Sequence, residues 1–168
     1  MVRSVAQLAG TSLGYQTDHV FRPRLQLPNA TYKDAASFAR FYDRLEERLT
    51  AIPNLSLALS TFVPFWEPPT RPLETDGNGQ LRASITAAGP NYFRTLRIGL
   101  LEGRAFTQVD RTGAEPVVVI SESLARTVAP HGSALGTRIR TTEWSDAGEP
   151  VRVWRTVVGV AHDVHQTH

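Results

Sequence analysis

The spacing of apolar residues changes several times along this chain, and each change predicts an element. Residues 19–28, "HVFRPRLQLP", alternate: Val20 is followed by Arg22, Arg24 and Gln26 on one side, with Phe21, Pro23, Leu25 and Leu27 on the other. A period of two predicts a half-buried strand, and Pro23 favours an edge or a bulge. In the next stretch Phe38, Phe41 (or Tyr42), Leu45, Leu49 and Ile52 recur at spacings of three and four, which predicts an amphipathic helix. Asp34 is placed to cap that helix and Pro53 to end it. Residues 55–63 predict a second strand, so the first third reads as strand, helix, strand.

Prolines then crowd residues 64–81, "PFWEPPTRPLETDGNGQL", with the turn pair Asp76–Gly77, and predict a loop or linker. "RASITAAG" predicts a third strand. In "GPNYFRTLRIGLLEGRAFTQVD", residues 89–110, Pro90 suits a first helical position, Tyr92, Phe93 and Leu96 share a face, and Gly99 is expected to end two helical turns. "LLEGRAF" is expected to run extended. Residues 117–120 read as a buried strand, with Ser121 capping a short helix that carries Leu124, Ala125 and Val128. A short strand is expected over 137–142, a hairpin-like loop over "WSDAGEP", and a long alternating strand over "VRVWRTVVGVAHDV". The fold class is therefore α+β: a strand-helix-strand unit followed by a second small mixed α/β subdomain.

Composition narrows the function without naming one. A chain of 168 residues with 41% hydrophobic residues can bury a core. There is no cysteine, which excludes disulfides and thiolate zinc sites. The net charge is +2, and seventeen arginines and one lysine are dispersed without a basic run, so nothing marks a nucleic-acid partner. No stretch approaches the ~18 apolar residues of a membrane span. "MVRSVAQLAGTSLGY" is too broken for a signal peptide and reads as a short amphipathic helix.

Candidate chemistry is sparse. His162, Asp163, His165 and His168 fall near the end of the chain, and a hydrolase built on His131, His162 and His165 is the enzyme reading to weigh. A strand throws such spacings onto alternate faces, so a frayed terminus is preferred to a metal site. Ser121 lacks the flanking glycines of a nucleophile elbow and reads as a cap, with Glu122 suiting the helix dipole. Neither "GNGQ" nor "HGSALG" fits a phosphate loop. Glu102 and Asp110 could pair as carboxylates, but Arg104 is expected to order that loop through a carboxylate or the backbone. No catalytic, cofactor-binding or metal residue is assigned, no cofactor is expected, and the chain does not read as an enzyme.

The order "GPNYFRTLRIGLLEGRAFTQVD", "PVVVISESLARTVAP", "ALGTRIR" and "WRTVVGVAHDV" resembles the MacB-like periplasmic core domain of ABC-transporter permeases, in their acidobacterial, FtsX-like form. The family pattern reads "YF..LGI.L..GR.F...D", then "V.V.NE..A...FP", then "..VVGVV.DV". The chain departs at Arg97, where glycine is usual, and at Ser121, where asparagine is. The resemblance implies a juxtamembrane segment (1–18), an incomplete porter-like subdomain (19–66), a linker (67–81) and an inserted, Sabre-like subdomain (82–168). It implies that the helix packs on the porter sheet. It also implies a fragment of a membrane-anchored protein on the periplasmic face of the bacterial inner membrane. Its partners would be the parent's transmembrane helices, a cytoplasmic ATPase, a periplasmic protein and a second copy. The mechanism implied is transmission of movement, not catalysis. A free-standing soluble binding module is the alternative.

Overall fold

The computed structural model describes residues 14–15, 19–28, 30–32, 34–62, 70–76, 79–111, 113–144 and 149–164. The amphipathic start, Trp66, His165, His168 and most of "WSDAGEP" lie outside them.

Helix α1 spans Ala35–Thr50. Asp34 caps it as expected: the Ser37 N–H donates to the Asp34 carboxylate at 2.6 Å, and the Ser37 hydroxyl faces the Asp34 N–H at 3.4 Å. This reciprocal pair satisfies two groups that have no partner inside the helix. Tyr32 packs its ring on Phe38 and Phe41, with centroids 5.8 and 5.4 Å apart. Among the described residues, neither of the two buried clusters contains a residue of α1.

The strands expected on either side of α1 are not formed among the described residues. Among the described residues, 19–28 join no strand ladder, and residues 55–62 make one bridge, Ser60 to Ala88. Alternation dictates an extended backbone with two faces. A strand also needs a neighbour to complete its ladder, and sequence periodicity does not supply one. Thr61 and Leu59 instead fasten their segment to Ala87 and Gly89 by backbone hydrogen bonds of 2.9 and 2.8 Å.

The second part carries the sheet. Its strands are β1 (Thr70–Thr75), β2 (Gln80–Ser84), β3 (Leu100–Gly103), β4 (Val117–Ser121), β5 (Arg138–Trp144) and β6 (Pro150–Ala161). The order is β2-β1-β5-β6-β3, with β4 joined to β6. All pairs are antiparallel except β4–β6, which is parallel. Helix α2 is Tyr92–Thr95 and helix α3 is Glu122–Val128. The mixed α/β architecture expected from the sequence is present.

Strand β1 occupies part of the stretch expected to be a loop. Its Pro72 faces Arg82 in β2, while the ladder with β5 begins only at Leu73. The proline therefore sits where β1 has no second neighbour, a position that tolerates the missing N–H.

Two apolar clusters flank the sheet. Leu73, Ile120, Ala134, Ile139, Val157 and Val160 form the larger, covered by Leu124, Ala125 and Val128 of α3. Tyr15, Leu96, Ile98 and Ala161 form the smaller, with Phe93 and Val119 against it. Val119 faces one cluster and Ile120 the other, so β4 is apolar on both sides. That explains the unbroken "VVVI" run: a parallel pair buried on both faces has no polar face to show. Ile139 and Val157 are the largest fully buried side chains, each worth ~1.5–3 kcal/mol by the usual transfer scale.

Candidate functional site

The residues of the sequence blocks converge at the C-terminal end of β6. In the first block, α2 is one turn rather than two. It ends not at Gly99 but at Arg97, whose φ is +52°. The Ile98 N–H donates to the Phe93 carbonyl at 2.8 Å and the Arg97 N–H to the Arg94 carbonyl at 3.2 Å. Both bonds are those of a Schellman motif, and Phe93 and Ile98 meet in the same apolar cluster, as that motif prefers. Gly99 has another role. A β-carbon there would come within 2.8 Å of the His162 ring, while the His162 N–H donates to the Gly99 carbonyl at 3.0 Å.

The "GR" step follows. Gly103 has φ +69°, and a β-carbon on it would strike the Val158 carbonyl. Arg104 then turns back to grip Asp110 with both guanidinium nitrogens, at 2.6 and 2.8 Å. Asp110 also accepts from the Thr107 N–H at 2.7 Å and its hydroxyl at 2.9 Å. The Asp110 side chain is 6% exposed. The Arg104 hydrogen bonds, helped by those from Thr107, outweigh desolvation and hold its carboxyl well below the ordinary carboxylate range. Arg104 thus orders the loop through a carboxylate, as expected. Glu102 lies apart from that pair and accepts from the Ser133 hydroxyl at 2.6 Å.

Asp163 has a role that sequence reasoning missed. Its carboxylate accepts the Ser123 N–H at 3.0 Å and the Ser123 hydroxyl, at the first turn of α3. Arg126 of the same helix lies 3.8 Å away. Burial opposes ionisation of Asp163, but the Ser123 hydrogen bonds, with Arg126 and Ser121, prevail and lower its pKa. Ser121 also caps this helix, the Leu124 N–H reaching its hydroxyl at 3.4 Å. The fixed aspartate after "VVGVAH" was the available signal, since β4 runs parallel to β6 and brings Ser121 opposite Ala161.

Residues 14 and 15 also approach this site. Gly14, with φ +76°, lies so close to Asp163 that a β-carbon would strike the Asp163 carbonyl. Tyr15 is buried beside it, and the Tyr92 phenol is pushed up to about 12, by burial first and by Tyr15 second.

The histidines of the enzyme reading do not come together among the described residues. His131 is exposed, and His162 is 54% exposed with Nδ1 3.9 Å from Glu122. Among the described residues no three histidine or carboxylate groups gather to hold a metal. No helix there is long and apolar enough to cross a membrane.

Among curated proteins none matches the chain. Solved structures match part of the chain. A domain of a permease protein from Porphyromonas gingivalis is 25% identical, matched over 67% of this chain and 42% of that one, with a TM-score of 0.46. The periplasmic region of MacB from Actinobacillus actinomycetemcomitans is 21% identical over 70% and 48%, with a TM-score of 0.49. The extracellular domain of the noncanonic ABC-type transporter YknZ from Gram-positive bacteria is 17% identical over 70% and 55%, with a TM-score of 0.48. The chain thus spans about half the length of these structures. The family described as MacB-like periplasmic core domain matches residues 5–167, nearly the whole chain, and this protein belongs to it.

Proposed function

We propose that the chain is the extracytoplasmic part of an ABC-transporter permease. It would be carried on transmembrane helices of its parent at the periplasmic face of the inner membrane. Movement driven by ATP hydrolysis in a cytoplasmic partner would pass through it to a substrate or protein outside. The parent would act as a homodimer, and the domain itself would catalyse nothing. On this reading the porter-like and Sabre-like division would place β1 with the second subdomain, since it pairs with β5.

The observation that carries the reading is the contact between Gly14 and Asp163. A domain moved by membrane helices must receive the chain and return it at one place. Here both strands of the chain pass the foot of β6, and Asp163 links that foot to α3. Displacement of the ends would reach the sheet and the helix together.

Fractionation of cells expressing the whole reading frame tests it. Recovery in the inner membrane, with this segment digested by protease added to the periplasmic side, is the expected result. A product found in the cytosol, or protected from that protease, would overturn the reading and leave the binding module. Because Gly14 has no room for a β-carbon against Asp163, Gly14→Ala then tests coupling. Wedging the joint should uncouple ATP hydrolysis from transport.

A further inference from the structure

The scattered arginines form one surface once the sheet is assembled. Strand pairing puts Glu74, Arg82, Arg138, Arg140, Arg152 and Trp154 on the same face of β1, β2, β5 and β6, opposite the face covered by α3. Neither apolar cluster includes any of them. Arg138 and Arg140 both lie over the Trp154 ring, 5.1 and 5.0 Å from its centroid. Among the described residues of these four strands, Glu74 is the acid of this face and is already engaged, by Arg140 and by Arg152 at 3.7 Å. Glu115 at the rim accepts from Thr156. Arg138 has no ion pair among the described residues, and Arg152 is 63% exposed. The face therefore presents an excess of guanidinium groups, held in place by an aromatic ring and a sheet.

We propose that this face docks an extended, acidic segment of a partner protein. The geometry favours a polypeptide. Arg138 and Arg140 are alternate residues of one strand, so their Cα atoms are ~6.6–7 Å apart, the pitch of alternate carboxylates along an extended peptide. Position favours it too, and this clause rests on the permease reading. Trp154 lies seven residues before the end of β6, roughly 23 Å at ~3.3 Å per residue from the strand end that leads on to the Gly14–Asp163 joint. Lipid headgroups beside the joint would not reach it. Guanidinium groups suit carboxylates through paired N–H donors.

The probe is a labelled peptide of alternating glutamate and serine, bound to the chain in low salt and followed by anisotropy. Arg138→Glu should weaken binding by about 10-fold or more, because it places like charge against the peptide. Arg44→Glu makes the same change in net charge on α1 and should leave binding nearly intact. Arg138→Gln, checked by thermal melting, gives the same reading if the charge reversal fails to fold. Absence of binding, or equal losses from the two glutamate variants, would overturn the proposal. So would binding to vesicles of phosphatidylglycerol with the same dependence on Arg138. The chain is assayed alone, so a negative result removes the docking face, and membrane fractionation still decides the permease reading separately.

Discussion

Gly103 and Gly159 sit opposite each other on β3 and β6, and neither has room for a β-carbon. One on Gly159 would strike the Arg104 carbonyl. Close backbone approach, rather than flexibility, is therefore why this pair is glycine. Gly159→Ala should destabilise the fold by about 1–3 kcal/mol, the usual range for overpacking. Urea denaturation measures it, and an unchanged midpoint would show that β3 can retreat.

Arg97 makes the opposite prediction. It holds the left-handed position of a Schellman motif, which glycine adopts without strain. Arg97→Gly should raise stability by about 0.5–1 kcal/mol, less than the strain relieved because glycine is freer when unfolded. A lower melting temperature would mean that the exposed Arg97 side chain makes a contact worth more than the strain.

The acid dependence follows from Asp110. Its folded pKa is depressed, so the stability it contributes is fully present above the unfolded carboxylate pKa, ~3.9. That stability is lost as pH falls through the folded value. Asp110→Asn should cost about 1.5–3 kcal/mol at neutral pH, as expected of hydrogen bonds to a charged group. It should also flatten the acid limb of the stability curve. An unchanged limb would assign acid sensitivity to other carboxylates, Asp163 first.

At high pH the group to watch is Tyr92. Burial favours its neutral form, so its contribution is complete below the unfolded phenol pKa, ~10, and is lost as pH rises through about 12. Spectrophotometric titration should show a phenol ionising near pH 12, absent in Tyr92→Phe. A titration in which Tyr92→Phe removes an ordinary phenol would mean that the Tyr15 cluster opens to water.

What could be read from the sequence divides along a physical line. Features set by neighbours in the chain were legible: the Asp34 cap, the Ser121 cap, the β4–α3 step and the length of β6. Arg104 was read correctly because its carboxylate lies six positions away. Features set by partners distant in sequence were not. Residues 19–28 and 55–62 carry strand periodicity without a ladder. Strand β1 hides in a proline-rich stretch because Pro72 happens to lie beyond the β5 ladder. Asp163 read as part of a frayed terminus because its helix is forty positions away. Arginines at 82, 138, 140 and 152 looked dispersed because only strand pairing gathers them.

Strand β6 shows how the joint would bear a load. Its last rungs run to β4 and β3, and Asp163 follows two residues after the last of them. Tension applied there along the strand draws on those rungs together, in shear, whereas a pull across the strand would peel them singly. A shear-loaded ladder yields by breaking several hydrogen bonds at once, so β6 can transmit tension with little extension, like a tendon.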